Sequence, residues 1–398
     1  DSPELLPYWL LGAAAPGAAF AEAATMQQHV ADASRAPKRR TDSEYQGRLN
    51  YAYHFDAGRF ASLLAEHGRS LGVQHQIAHV EKVELDEQGA IARVITREAG
   101  SLTADLYIDC TGMRGGLIGD ALGSPFRSTR DTLFVDRAVA IQVPYPRADT
   151  PIPSYTISTA HEAGWTWDIG LQARRGVGYV YSSRHTDDSR AEQVLRQYIG
   201  PAAENLNARL LKFETGFRPE QWRKNCVAVG LSAGFLEPLE STSIHLIQSG
   251  IAKLLSLFPD CDCDPSLVER YNQLLNADMD TIKDFLILHY HATTGKDEPF
   301  WVERHEMSLP SSLTEREGHY RRSGRLMLET EELFRDASWH AVLNGQGIEA
   351  GDYNPLADAL DSATNVAQVR QIAKVIARAA RTLPFHDEAL AQAMERTG

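Results

Sequence analysis

The sequence predicts an α/β protein in which a doubly wound sheet is combined with a second, mainly antiparallel sheet and a helical C-terminal part. Three observations predict this class. A helix, a small antiparallel excursion and a buried strand ending on Thr-Gly follow one another early in the chain. A segment rich in Tyr, Thr and Val comes next, and helical spacing of apolar residues dominates the remainder.

The first of these elements is a helix that begins after Asp56, a good N-cap residue. Strand-like stretches follow at 80–85 and 91–96, and "LTADLYIDCTG" ends at Thr111 and Gly112. A strand that stops on Thr-Gly suits a doubly wound nucleotide-binding sheet, in which ligands gather at the carboxyl ends of strands. The apolar residues of the helix are spaced for one buried face: Phe60, Leu63, Leu64 and Leu71.

The second sheet is predicted between residues 127 and 225, where turn signals separate short strands such as "FVDRAVAIQVPY" and "GVGYVYSS". The chain then returns to an apolar strand from Cys226 to Leu231. Helices dominate from Ile244 onward, and the closing segment 355–396 is also helical. One face of the first of these helices is predicted to carry Ile244, Ile247, Ile251, Leu254 and Leu255.

Composition excludes several classes of function. A formal net charge of −13 argues against a general nucleic-acid binder, which needs a cationic surface. No apolar run approaches the roughly 20 residues of a membrane span, so a cytoplasmic protein is expected. The cysteines lack zinc or disulfide spacing and are expected to be reduced thiols. No metal site is predicted, since His289 and His291 would face apart on a helix.

The stretch "FLEPLESTSIHLIQSG", residues 235–250, crowds polar residues between two apolar segments. Its helix is expected to start within Ser241, Thr242 and Ser243. A helix start after a buried strand directs unpaired backbone N–H groups into the crevice where a nucleotide would lie, which suits an anion or a flavin. The alternative is an ordinary turn in which the hydroxyl side chains only cap the helix.

Several segments resemble a known family. "FLEPLESTSIHLI" resembles the strand-to-helix signature of the flavin-dependent tryptophan halogenases, and "GWTWDIG" resembles their W-x-W-x-I-P motif, with Gly170 where proline is usual. "YAYHFDA", "ADLYIDCTGMRG" and "DEPFW" are similar to family segments in the same order. The resemblance implies an FAD-binding core of the flavoprotein-monooxygenase type at 1–300, with 127–225 as a substrate-side sheet and 301–398 as a helical substrate-side region.

The resemblance also implies the chemistry. In that family reduced FAD and O2 oxidise chloride or bromide, and the resulting hypohalous acid travels through a tunnel to an electron-rich aromatic ring. A separate reductase supplies FADH2. The implied roles are catalysis for Glu240 and halide binding by backbone N–H groups for Thr242 and Ser243. In the FAD site, Leu231 and Ile244 would contact the flavin, and Val80 would lie against the adenine end. Trp165 and Trp167 would form a wall between flavin and substrate. The three FAD positions are equally suited to core packing.

Departures from the family pattern qualify these expectations. Ser243 replaces a glycine, which matters if that position needs a positive φ. Leu333, Phe334 and Ala337 stand where members acting on tryptophan have an aromatic pair and an asparagine, so indole or an indole derivative is expected rather than free tryptophan. No G-x-G-x-x-G occurs, and the family's catalytic lysine would fall before Asp1, so a longer native polypeptide is expected.

Two other functions remain open at the level of sequence. The chain could be a flavin monooxygenase or reductase of the same fold, which the Trp-x-Trp pair and the region of Thr242 argue against. It could also be a non-catalytic fragment unable to bind FAD. Association into a homodimer is a further expectation, based on the helical closing segment.

Overall fold

The computed structural model describes residues 5–13, 19–260, 264–329, 331–359 and 362–395. Its strands are β1 Val80–Leu85, β2 Ile91–Thr96, β3 Gly100–Leu102, β4 Tyr107–Asp109, β5 Arg127–Ser128, β6 Arg137–Pro144, β7 Ile157–His161, β8 Gly164–Gly170, β9 Arg174–Tyr181, β10 Ala208–Lys212, β11 Gly216–Phe217, β12 Trp222–Arg223, β13 Cys226–Ala228 and β14 Gly234–Phe235. Its α-helices are α1 Leu5–Tyr8, α2 Phe20–Ala24, α3 Gln27–Asp32, α4 Ala57–Ser70, α5 Asp188–Ile199, α6 Ser243–Ser256, α7 Pro265–Ala292, α8 Pro299–Glu306, α9 Ser311–Ser323, α10 Asp336–Gly345, α11 Ser362–Arg381 and α12 His386–Glu395.

The chain forms two compact units, each assembled from separated segments. Unit 1 comprises Asp1–Phe55, Ala138–Leu211 and Leu288–Gly398, and unit 2 comprises Asp56–Arg137 and Lys212–Ile287. The predicted division at residue 300 is a division by role and stays a prediction.

A parallel pair of strands organises unit 2. β13 runs parallel to β4, with Cys226 opposite Tyr107 and Ala228 opposite Asp109. Because the two strands run in the same direction, the loops that follow them leave from the same edge of the sheet. The predicted antiparallel meander is confirmed, since β1 pairs with β2 and β2 with β3. The buried core around it includes Ile118, Cys226 and Ala228.

Unit 1 contains the predicted second sheet, with strand order β10-β6-β9-β8-β7. β8 pairs antiparallel with both β7 and β9. One face of the sheet packs on α5, where Leu195 and Ala191 join Val177 and Tyr179 in a buried cluster. The two tryptophans of the motif lie opposite Val180 and Gly178 of β9, on the face of the sheet away from Val177 and Tyr179.

The predicted start of the first long helix is confirmed, but its predicted burial is wrong. The Asp56 carboxylate accepts a hydrogen bond from the Arg59 N–H, so α4 begins as expected. Its apolar residues, Phe60, Leu63, Leu64 and Leu71, are all exposed. Spacing identifies an apolar face of a helix but does not specify a neighbour that covers it.

The apolar face predicted for α6 also needs correction. Leu254 is buried, whereas Ile244, Ile251 and Leu255 are exposed. The helix instead packs through Gly250 and Leu254. The strand before it is shorter than predicted, because β13 ends at Ala228 and a 3₁₀ turn occupies Gly230–Ser232.

The described residues also bear on the sequence predictions about membrane spans and cysteines. None of their helices combines the length and hydropathy that crossing a bilayer requires. Cys110 and Cys226 are free thiols. Cys261 and Cys263 lie outside the described residues.

Candidate active site

The buried carboxylate of Asp109 organises the loop that follows β4. Its Oδ2 accepts hydrogen bonds from the backbone N–H groups of Leu117 (2.9 Å) and Ile118 (2.8 Å). Its Oδ1 accepts from the N–H and the hydroxyl of Thr111. A carboxylate with this many donors is well compensated for its burial. Asp109 therefore fixes the Thr-Gly turn at the edge of the sheet where a nucleotide was predicted to bind.

The same residue connects the loops of the two parallel strands through its carbonyl oxygen. The Val229 N–H and the Ser232 hydroxyl both donate to it. The guanidinium of Arg218, which is also buried, donates to the carbonyl oxygens of Ser232 and Ser124. These contacts hold the segment before α6 in a defined position.

The turn "PLEST" has an unusual backbone. Glu240 has φ 67° and ψ 0°, and Ser241 has φ 52°. Left-handed conformations in residues other than glycine cost about 1 kcal/mol or more each and are concentrated at functional sites. Glu240 is exposed, whereas Glu237 is 1% exposed and lies in the interior of the turn. The two carboxylates of the motif therefore differ in environment, because one is exposed to solvent and the other is buried.

The helix after the turn begins where the sequence predicts. Thr242 is the N-cap of α6, and the first helical bond runs from the Leu246 N–H to the Thr242 carbonyl oxygen. The predicted N-cap is confirmed, but the Thr242 side chain makes no cap hydrogen bond, so the alternative in which hydroxyl side chains only cap the helix does not hold at this residue. The N–H groups of a first helical turn have no acceptor within the helix, so the arrangement can present donors to an anion.

Position 243, where serine replaces the glycine of the family pattern, does not need a positive φ. This residue is the first of α6, and positive φ values occur instead at Glu240 and Ser241. A serine at position 243 therefore introduces no backbone strain. Its presence does not by itself prevent the N-terminus of α6 from binding an anion.

The three positions predicted to contact FAD are exposed rather than packed in a core. Val80 is 53% exposed, Leu231 is 43% exposed and Ile244 is 45% exposed. The alternative of core packing is therefore wrong for all three. Leu231 and Ile244 follow β13, one of the two parallel strands, and exposed apolar side chains beyond the carboxyl end of such a strand fit a flat, largely apolar cofactor. The residues present thus fit the ring systems of FAD, whereas the sequence contains no G-x-G-x-x-G for its pyrophosphate.

An open groove of about 370 Å³ in unit 2 includes Val80. The Thr111 turn forms one side, and charged residues of both signs, Lys82, Arg114 and Asp120, lie along it. A mixed polar and apolar groove suits the adenosine part of a dinucleotide. The predicted placement of Val80 near an adenine ring is compatible with this groove.

In unit 1, the two tryptophans of the motif lie on one face of β8 and touch. The centroids of their rings are 6.4 Å apart at 62°, an edge contact. Trp165 is buried, and its indole N–H donates to the Tyr290 hydroxyl at 3.0 Å. Trp167 is partly buried and lies opposite Gly178 of β9. A Cβ at Gly178 would lie only 2.1 Å from the Trp167 ring, so the glycine makes room for the indole.

The departure from the family motif at Gly170 has a local explanation. A Cβ at this position would lie 2.7 Å from Ile152 and 3.1 Å from the Tyr145 hydroxyl. These two side chains occupy the space that a larger residue would need. Close packing around the end of β8 therefore favours glycine over a larger residue at this position.

The predicted substrate-side residues lie just before a helix. Leu333 and Phe334 are partly buried and precede α10, and Ala337 is exposed in its first turn. The helix before Gly345 and Gly347 is confirmed, although only one of the three positions belongs to it.

Two features of the site were missed from the sequence. The role of Asp109 was not predicted, although an Asp two residues before a Thr at a strand end is typical of a turn-forming carboxylate. The left-handed pair at 240 and 241 had no signal, because neither residue is glycine. Within the described residues, no group of three or more His, Cys, Asp and Glu is arranged to hold a metal.

Comparisons with known proteins agree with this geometry. The sequence profile of the tryptophan halogenase family matches residues 2–362. The tryptophan 6-halogenase SttH of Streptomyces toxytricini is 42% identical over 293 residues, which are 73% of this chain and 56% of that protein. The 7-chloro-L-tryptophan 6-halogenase KtzR of Kutzneria sp. is 39% identical over 89% of this chain and 69% of its own length.

Solved structures give the same result for the fold. A flavin-dependent halogenase from Xanthomonas campestris superposes with a TM-score of 0.90 at 37% identity, covering 98% of this chain and 77% of that one. The chain thus spans little more than half the length of SttH, the first of the curated relatives above.

Proposed function

Because the chain belongs to the tryptophan halogenase family, we propose that it is an FADH2-dependent halogenase that uses O2 and chloride or bromide to halogenate an electron-rich aromatic ring. The observation that carries the proposal is the turn before α6. There the exposed Glu240 adopts a left-handed backbone conformation two residues before the buried N-cap Thr242. Strain of this kind is retained where a side chain or a backbone group has a task.

The residues of unit 2 have distinct proposed roles. When bound, reduced FAD together with O2 supplies the two-electron oxidation of halide to hypohalous acid. Thr242 and Ser243 would hold the halide through backbone N–H groups at the positive end of α6. Leu231 and Ile244 would exclude water from the flavin side of this anion. Glu240 would stabilise the positive charge that develops on the aromatic ring and accept the proton that the ring loses.

The aromatic pair in unit 1 is proposed to prevent a competing reaction. Trp165 and Trp167 would keep the ring substrate away from the flavin, so that oxygen is not transferred to it directly. The contact between the indoles and the anchoring of Trp165 by Tyr290 support a wall with little freedom to open.

Two classes of substrate are supported by different observations. The relatives named above are tryptophan halogenases, which favours tryptophan. Leu333, Phe334 and Ala337 lack the aromatic pair and asparagine that would clamp an amino acid, which favours indole or an indole derivative. We propose indole as the better substrate, and a comparison of kcat/KM for indole and free tryptophan under identical conditions decides between them. The proposed partner is a separate flavin reductase, and homodimer formation is testable by light scattering.

The experiment uses the protein with a flavin reductase, NADH, FAD, sodium bromide and indole, with products identified by mass spectrometry. We expect brominated indole that depends on bromide. Glu240→Gln should lower kcat by about 10²–10³, the range for loss of one electrostatic catalytic group. Flavin binding should be unchanged in this variant. Glu214→Gln, which alters another exposed carboxylate of unit 2, is the matched control and should retain full activity.

Three results would contradict the proposal. An oxygenated product formed without halide would identify a monooxygenase. A protein that binds no flavin and forms no product would be a binding remnant. Equal activity of Glu240→Gln and wild type would remove the assigned role of Glu240.

A further inference from the structure

A small, partly open cavity lies behind the turn that carries Glu240. Its volume is about 50 Å³, and its walls come from the segment after β13, from α6 and from α7. Leu246, Leu275 and Met279 are among its apolar lining residues, and Thr242 and Ser243 border it at the start of α6. A water molecule needs about 10–15 Å³ of such volume, so the cavity can hold one small guest.

Two polar side chains of this cavity lack a hydrogen-bond partner among the described residues. The Tyr271 hydroxyl and the side-chain nitrogen of Gln221 are both buried, and these residues are 0% and 1% exposed. Buried polar groups are nearly always hydrogen-bonded, and an unsatisfied group costs about 1–3 kcal/mol. Burial raises the pKa of the Tyr271 hydroxyl, so this group stays protonated and able to donate.

Further contacts tie together the walls of the cavity. The Tyr271 ring packs edge-on against Trp222 with centroids 5.5 Å apart. The side chain of Asn272 bonds the backbone N–H and carbonyl oxygen of Trp222 at 2.8 and 2.9 Å. An ion pair between Lys253 and Asp278 ties α6 to α7. These contacts position the Tyr271 ring and join the two helices that line the cavity.

We propose that this cavity binds a halide ion, chloride or bromide, held by the Tyr271 hydroxyl and the Gln221 side-chain amide. Both side-chain donors line a space whose described lining residues include no Asp or Glu, and the first turn of α6 borders that space at Thr242 and Ser243. A halide accepts hydrogen bonds and needs no acceptor in return, unlike water. The identity of the ion rests on the proposed function, and the site lies behind the turn, separate from the backbone N–H groups assigned to the reacting halide.

The test uses bromide as the probe and the flavin-free protein. Crystals soaked in sodium bromide should show an anomalous peak within hydrogen-bond reach of Tyr271 Oη and Gln221 Nε2. In solution, the ⁸¹Br line width should report saturable binding. Tyr271→Phe should weaken that binding by about tenfold or more, the effect of one hydrogen bond to a charged group. Gln221→Glu should abolish it, because a carboxylate repels the anion.

A second variant keeps the test valid if these substitutions impair folding. A Cβ at Gly250 would lie 3.4 Å from the Tyr271 hydroxyl, an ordinary contact distance, so Gly250→Ala narrows the cavity without a clash. It should also favour the helix. We expect at least a tenfold loss of bromide affinity. Gly318→Ala in α9 is the matched control, since a Cβ there meets nothing closer than 4.0 Å.

The outcomes separate this proposal from the proposed function. Ordered water at the two donors without an anomalous peak would overturn the halide assignment. So would a peak in crystals combined with equal solution binding by wild type, Tyr271→Phe and Gly250→Ala. Bromide in the cavity together with the absence of any halogenated product would refute the enzymatic activity but leave the site in place.

Discussion

Trp167 lies across Gly178 of the neighbouring strand, so a single methyl group at position 178 should displace the indole. A Cβ there would lie 2.1, 2.3 and 2.6 Å from three atoms of the Trp167 ring. Optimal separations between carbon atoms are about 3.5–4.0 Å, so the ring must move by more than an ångström or the two strands must separate. Overpacking of this kind costs about 1–3 kcal/mol. We expect Gly178→Ala near the upper end of that range, because Trp165 and β9 confine the ring.

The measurement is the free energy of unfolding from urea denaturation followed by circular dichroism. Gly176→Ala is the matched control, because position 176 lies two residues away on the same face of β9 and its Cβ would meet only Gln142 at 3.7 Å. We expect this control to change stability by less than about 0.5 kcal/mol. The same two variants report on function: displacement of Trp167 should increase flavin oxidation that yields no halogenated product, and Gly176→Ala should not.

A double mutant tests the cause. In a Trp167→Ala background the ring is absent, and Gly178→Ala should then cost less than about 0.5 kcal/mol. The difference between the two backgrounds is the coupling energy of the pair. A Gly178→Ala variant as stable as Gly176→Ala, or one whose cost is the same with and without the indole, would refute a steric conflict with Trp167.

Two further predictions concern buried titratable groups. Asp109→Asn should destabilise unit 2 by about 2–4 kcal/mol and weaken FAD binding, because an amide cannot accept all the bonds of the carboxylate; urea unfolding and a flavin titration measure this, and Asp105→Asn at an exposed site should do neither. For His340, burial lowers the pKa to about 4 from an unfolded value near 6.5. The folded state then binds fewer protons, so this contribution to stability is present above pH 6.5 and is lost as pH falls toward 4, by roughly 3 kcal/mol. His340→Gln should flatten that part of the pH profile, and an unchanged profile would contradict the assignment.

Much of the fold could be predicted because it depends on local pattern. The alternation and turns of 80–112 specify the meander, and Asp56 marks the start of α4. What covers an apolar face could not be predicted, because it depends on contacts that are distant in sequence. The predicted faces of α4 and α6 are therefore exposed at Leu63 and Ile251 despite correct helical spacing.

The candidate site likewise has features that local sequence predicts and features that depend on distant contacts. The position of the turn and the start of α6 followed from an apolar strand, a proline and three hydroxyl residues in succession. The hydrogen bonds of Asp109 and the cavity at Tyr271 could not be found this way. Each depends on segments that are separated in sequence and meet only in the folded unit.

The left-handed pair at 240 and 241 bears most directly on function. A left-handed residue other than glycine costs about 1–2 kcal/mol, and glycine would remove that cost at either position. The helix after the turn does not compensate through its cap, since Thr242 makes no side-chain cap bond. On backbone conformation alone, glycine is the favoured residue at position 240. The presence of a glutamate there, exposed beside the first turn of α6, is what a role for its carboxylate in the reaction would require.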